Sequence, residues 1–313
     1  MGELLAIAAM LLFSTNIILT KVAAARLNLH FGFLISVGMN IIFGLLLFAV
    51  QMLFFEQGNI DWNTKGFLFF LSAGVFSTYL GRWFFFETID KLGPTRASAF
   101  QVSNPLFTAL IAWLFLGERL HLIDVLAICI VLLGLFLVSY VSQRTVKSQL
   151  AAGREQIEVQ SIRSLSLKWI LTSSILLAFF SSLSYAVGNV VRGVAIQNWN
   201  QPILGGVLGA ILGFLMHAVT NKNTRHFWRD LKTSDSRGVL LYTISGIITI
   251  TAQIAVIASM RYIPISIANL ITLSTPVVVT PVSYFMFKNQ EGITYRTIIG
   301  ILLVMGGIFV ILL

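Results

Sequence analysis

Nearly all of this chain consists of apolar runs long enough to cross a membrane, and its second half repeats the first. Residues 74–138 recur at 246–311. In the first copy Asn104-Pro105 lies inside an apolar span, Gly117-Glu118 ends it, and Leu133-Gly134-Leu135-Phe136 falls in the next. Thr275-Pro276, Glu291 and Gly306-Gly307-Ile308-Phe309 hold the corresponding places in the second copy, and Asn16 is matched in the same way by Asn189. Hydrocarbon offers the backbone no hydrogen-bond partners, so apolar runs of about 20 residues must become helices. Spans are expected near 3–23, 33–54, 66–87, 95–116 and 121–140, then near 168–190, 202–220, 238–259, 264–287 and 293–313.

The expected fold is therefore all-α and integral to the membrane, with ten transmembrane helices. Residues 1–140 form one five-helix repeat, 141–167 a polar basic linker, and 168–313 the second repeat. An odd number of spans per repeat sends the second copy in from the opposite face, which makes the repeats inverted. Inverted repeats belong mainly to transporters, with the site near the midplane where the two copies meet.

Composition agrees with lipid as the solvent. Hydrophobic residues are 57% of the chain and charged residues 11%, too few charges to cover a soluble domain of 313 residues. The net charge of +9 does not point to nucleic acid, because the basic residues are spread over membrane loops rather than gathered on one face. Sixteen of the 21 lysines and arginines fall in or beside the odd-numbered loops, including Arg144, Lys147, Arg154, Arg163 and Lys168 in one, and Lys222, Arg225, Arg229, Lys232 and Arg237 in another. The even-numbered loops hold Lys65, Arg119, Arg192 and Arg261, and Arg82 lies within a span. By the positive-inside rule the odd loops are cytoplasmic and both termini outside. The first span has no Lys or Arg before it and has a counterpart in the second half, so it is expected to stay in the mature protein rather than act as a signal peptide. Cys129, the single cysteine, has no internal disulfide partner.

Phe85-Phe86-Glu87-Thr88-Ile89, Leu92-Gly93-Pro94-Thr95-Arg96-Ala97-Ser98-Ala99, Pro105-Leu106-Phe107 and Gly117-Glu118-Arg119-Leu120 follow one another in the first copy. Tyr262-Ile263-Pro264-Ile265-Ser266-Ile267-Ala268, Thr275-Pro276, Glu291 and Gly306-Gly307 follow in the second. In order, spacing and duplication this series resembles the EamA-type domain of the drug/metabolite transporter superfamily, over nearly the whole chain. The resemblance implies ten helices in two inverted five-helix repeats around a central cavity. It further implies export or exchange of small metabolites such as amino acids, amines, sugars or nucleotide derivatives, and termini in the cytoplasm, opposite to the charge count. The mid-span glutamate that proton coupling uses in the related small multidrug transporters has no counterpart in the first span. Facilitated export or exchange is therefore expected.

Polar side chains inside hydrocarbon are costly unless they face protein or a water-filled cavity, so they mark candidate solute contacts. Ser98, Gln101, Pro105 and Thr108 form one stripe of the fourth span with Asn104 beside it, and Asn269, Thr272, Pro276 and Thr280 the equivalent stripe of the ninth. The repeat matches Ser98 with Asn269, Gln101 with Thr272, and Asn104 with Thr275. Pro105 and Pro276 are expected to kink their helices and free a carbonyl one turn back, where a solute amine can donate. Asn16 and Asn189 either line the cavity or bond across helices. Tyr185, one turn before Asn189, and Tyr79 in the third span are packing residues or stacking surfaces for a solute. Arg82, matched by Gln253, grips a solute carboxylate, snorkels to the near interface, or pairs with Glu87. Glu118 and Glu291 read as caps for the helices that follow them.

No cofactor or metal is expected: His30, His121, His217 and His226 are scattered without ligand spacing. The partners expected are a small solute, the bilayer of the cell membrane and no nucleic acid. Gly205 and Gly209, four apart, offer a small-residue surface for a homodimer or for packing within one chain. The function expected is export or exchange of an amino-acid-like or other small polar or amphipathic solute by alternating access, with a passive channel as the alternative and a membrane enzyme as the remote one.

Overall fold

The computed structural model describes residues 1–54, 61–92, 101, 103–118, 121–152, 174–220, 227–286 and 295–312. Their regular structure is helical throughout. The helices are α1 (Gly2–Ala24), α2 (Leu29–Phe54), α3 (Thr64–Ala73), α4 (Arg82–Leu92), α5 (Asn104–Ile111), α6 (Leu122–Ala152), α7 (Ser174–Asn198), α8 (Pro202–Thr220), α9 (Phe227–Thr233), α10 (Ser236–Ser259), α11 (Ile265–Leu273), α12 (Pro276–Met286) and α13 (Tyr295–Leu312). Two wider-wound π segments, Gly74–Gly81 and Ala112–Leu116, continue α3 and α5. Among the described residues seven stretches are long and apolar enough to cross a membrane: Gly2–Ala24, Phe31–Phe54, Thr64–Phe85, Leu176–Asn198, Pro202–Thr220, Ser236–Ser259 and Ile265–Val282. Asn104–Leu116, Leu122–Leu137 and Ile298–Val310 are shorter apolar helices.

Contacts between chain segments define two ends of the bundle. At the first, Gly2 lies against Tyr262 and Ile263, Asn63 Nδ2 donates to the Asn198 carbonyl (3.2 Å), and Trp199 Nε1 donates to that of Asp61 (2.9 Å). At the second, which carries odd-numbered loops, Arg26 bridges Asp235 at 3.4 Å and Leu27 packs on Gly238. We call the second the basic end. α1 leaves the first end, and α7 arrives there at Asn198.

The largest contacts join the front of the chain to its back. α1 packs on α10, α2 on α8 and α10, α3 to α4 along α7, α5 on α7 and α11, and α6 on α13. Among lipid tails apolar burial drives little helix association, so close packing and interhelical hydrogen bonds carry it. Glycine permits the closest approach. A Cβ on Gly74 would lie 2.8 Å from the Gly209 Cα, and Gly205 faces the Phe70 ring. The Gly205–Gly209 surface is thus buried within the chain. Phe70, Ile196, Trp199, Ile257, Met260 and Ile265 build the largest apolar cluster near the first end.

Five span expectations change. The third span is not one regular α-helix, because Gly74–Gly81 winds wider. The fifth continues as helix to Ala152, into the expected linker. The ninth is broken between Leu273 and Pro276, and the described helix of the fourth begins only at Asn104. Pro105 lies in the first turn of α5 and Pro276 opens α12, where a missing N–H costs nothing. Among the described residues the proline well inside a helix is Pro281. Finally, α7 runs to Asn198, eight residues past the expected boundary of the sixth span, and so carries Arg192 out of its loop and into the helix.

Candidate functional site

Arg192 is the centre of a polar cluster between the two parts of the chain. It precedes the end of α7 by six residues, roughly 9 Å of helix at about 1.5 Å per residue. Its residue is 6% exposed. One terminal nitrogen, Nη2, donates to Ser77 Oγ at 2.7 Å, and the other, Nη1, to Asn189 Oδ1 at 3.1 Å. With the Gln253 amide turned oxygen-first, that oxygen accepts from both, at 2.7 and 3.3 Å. Every one of these partners is neutral. Among the described residues no carboxylate meets the guanidinium, so its charge is hydrogen-bonded but not neutralised.

Local structure explains how these groups converge. The π winding of Gly74–Gly81 is the kind of distortion found at functional positions. It carries Ser77, which donates to the Ala73 carbonyl at 2.7 Å while accepting from Arg192. Gly188 lets that segment press on α7, since a Cβ there would come within 2.6 Å of the Ser77 Cβ. Asn189 and Arg192 are three residues apart and share a helix face.

The network continues across the chain. Asn189 Nδ2 donates to Asn269 Oδ1 at 2.7 Å, and Asn269 Nδ2 donates to Asn104 Oδ1 (3.1 Å) and Thr108 Oγ1 (2.8 Å). Thr108 donates in turn to Asn104 at 3.2 Å. Helices α5, α7, α10 and α11 and the π segment are thereby tied together. Asn104, Asn269 and Arg192 are buried, whereas Asn16, Arg82, Gln101, Tyr185, Asn189 and Gln253 keep partial exposure.

Of the residues singled out in the sequence, Asn104, Thr108, Asn189, Gln253 and Asn269 meet in this cluster. Thr272 lies one turn beyond Asn269, buried, and its hydroxyl has no partner among the described residues. Gln101 instead donates to Ser181 Oγ at 2.8 Å, and Ser181 donates to the Gly81 carbonyl. Asn16 accepts from Ser245 Oγ at 2.6 Å, bonding α1 to α10, so the matched pair Asn16 and Asn189 has unequal surroundings. Arg82 stands apart from the cluster, 4.4 Å above the Phe33 ring and facing Tyr185, toward the basic end. Tyr79 stacks on the exposed Trp83 at 6.1 Å. Ser98 and Glu291 lie outside the described residues.

Glu118 is a cap, but not of the helix that follows it. Its carboxylate accepts from the Ile265 N–H at 2.5 Å, the Ser266 N–H at 3.4 Å and the Ser266 hydroxyl at 2.6 Å. It therefore caps α11 from another part of the chain, because Pro264 before α11 has no side-chain acceptor. The helix after Glu118 is capped by Asp124, which accepts from the His121 N–H at 2.9 Å.

Sequence reasoning missed Arg192 and Ser77. A signal for Arg192 existed: it falls one helical turn after Asn189, on the same face, and moving the sixth span a few residues onward takes it in. Ser77 had only its flanking glycines, Gly74 and Gly81.

The family model described as the EamA-like transporter family matches residues 1–140 and 172–313. No curated protein matches the chain. Among solved structures, a crystal structure described only as that of a protein is 14% identical, covers 99% of this chain and 96% of its own, and superposes with a TM-score of 0.67. At that identity the likeness shows the fold alone.

Proposed function

We propose, from the premise that the chain belongs to the EamA-like transporter family and is thus a membrane transporter of small solutes, that it works as two inverted five-helix repeats of a ten-helix bundle, moving a small polar solute by alternating access. The opposite travel of α1 and α7, together with packing that pairs front and back segments, supports the inverted arrangement.

The single observation that carries the reading is the contrast between the buried heart of the polar cluster and the partly exposed amide, arginine and tyrosine side chains nearer the basic end. Asn104, Asn269 and Arg192 close the interior toward the first end, where Glu118 also clasps α11. Toward the basic end, Asn16, Arg82, Gln101 and Tyr185 remain half-exposed. A pathway shut on one side and polar on the other is one of the two states alternating access requires. Breaking the Asn189–Asn269 bond would release α7 from α11 and begin the exchange to the other state.

Purified protein in liposomes, loaded with unlabelled amino acids or amines and given the labelled compound outside, tests this. Transient accumulation of label against its gradient, saturating with concentration, is expected. Flux that rises linearly without countertransport would instead support a passive channel.

A further inference from the structure

We propose that the guanidinium of Arg192 is the receptor for a carboxylate on the transported solute, and that the Gln253 amide oxygen holds its place until the solute arrives. The proposal rests on the transport reading and names the chemical class that the same site takes.

The fork of the guanidinium carries the argument. A carboxylate binds arginine best by accepting from two N–H groups at once. The Gln253 oxygen accepts from Nη1 and Nη2 together, at 2.7 and 3.3 Å, and so fills the mouth of the fork with one neutral oxygen where a carboxylate would set two charged ones. Ser77 and Asn189 hold the same two nitrogens from other directions and fix the fork in place. A charge taken out of water without a counter-charge is costly in a membrane interior, and an incoming carboxylate removes that cost. Gln253 is half-exposed while Arg192 is buried, so the amide is the group an entering solute meets first. Arg82 is less suited to this role, because it lies over the Phe33 ring and faces Tyr185, nearer the basic end.

Two substitutions separate carboxylate binding from a structural role. Gln253→Glu supplies a resident carboxylate in the fork and keeps Arg192 paired, so the protein folds while the site is filled. Arg192→Gln removes the fork. The probes are L-alanine, L-leucine and L-phenylalanine, their amides, which keep the amine and side chain without the carboxylate, and inorganic phosphate. Binding is read from the unfolding temperature at millimolar probe, and transport from counterflow in liposomes. The native protein is expected to be stabilised by at least one acid and not by its amide. Gln253→Glu is expected to bind that acid about tenfold or more weakly, equivalent to losing one charge-assisted pair. Acid and amide acting alike on the native protein would overturn the proposal. So would undiminished acid binding by Gln253→Glu, phosphate binding in place of every acid, or a native protein indifferent to all three acids. Saturable counterflow of the amides alone would sink the carboxylate role and leave transport standing. Carboxylate binding lost in Gln253→Glu, with no solute crossing, would leave the site standing and sink transport.

Discussion

Removing the Glu118 carboxylate should loosen the start of α11, because that cap comes from a distant part of the chain. The helix spans Ile265–Leu273 and is preceded by Pro264, which has no side-chain acceptor. Its opening turn therefore relies on the carboxylate, which takes the Ile265 N–H at 2.5 Å, the Ser266 hydroxyl at 2.6 Å and the Ser266 N–H at 3.4 Å. Losing an N-cap costs about 0.5–2 kcal/mol, and a hydrogen bond to a charged group is worth about 1.5–3 kcal/mol. Glu118 is half-buried, so Glu118→Ala is expected to cost about 2 kcal/mol, or about thirtyfold in local opening. Glu118→Gln retains one acceptor and should lose roughly half as much. Hydrogen exchange by mass spectrometry in lipid discs reads this directly from a peptide covering 262–273. The Ile265 amide, and to a lesser degree that of Ser266, should pass from slow to fast exchange in the alanine variant. An unchanged exchange curve in that peptide would refute the capping argument.

Glycine substitutions should divide by what their Cβ meets. Gly74→Ala pushes a methyl to 2.8 Å from the Gly209 Cα and is expected to destabilise by about 1–3 kcal/mol in thermal unfolding, whereas Gly38→Ala, with nothing within 4 Å, should be neutral or slightly stabilising. Asn269→Ala removes bonds to Asn104, Thr108 and Asn189 and is expected to lose about 1–2 kcal/mol and to slow transport, while Asn16→Ala, which releases Ser245, should lose less in the same melts. Desolvation opposes ionisation of Asp235, yet the Arg26 guanidinium and the Arg237 and Gly238 amides together hold its carboxyl below the usual value. A depressed carboxyl contributes stability above its unfolded pKa and loses it as pH falls through the folded one. Exchange in the first turn of α10 should therefore rise below about pH 4 in the native protein and be high and flat with pH in Asp235→Ala, once the intrinsic pH dependence of exchange is removed.

Whatever depends on local chemistry was legible in the order of residues. Apolar run length decides which segments enter lipid, and the ordered motifs from Phe85 to Glu118 and from Tyr262 to Gly307 carry the family. Intramembrane polarity likewise identified Asn104, Asn189, Gln253 and Asn269, since an amide in hydrocarbon must find partners wherever the helices put it. Packing decided the rest. Window hydropathy places a charge at a helix end, and Arg192 becomes an interior residue only because Ser77 and Gln253 come from two other segments to join Asn189 of its own helix in holding it. A carboxylate after a helix end reads as a cap for its neighbour in sequence, but Glu118 caps the helix that packing brings beside it. Pro105 and Pro276 read as kinks, but each lies in the first turn of its helix, the two helices beginning at Asn104 and Pro276. Each of these outcomes rests on contacts between residues far apart in the chain, and the order of residues fixes such contacts only through the packing of the whole bundle.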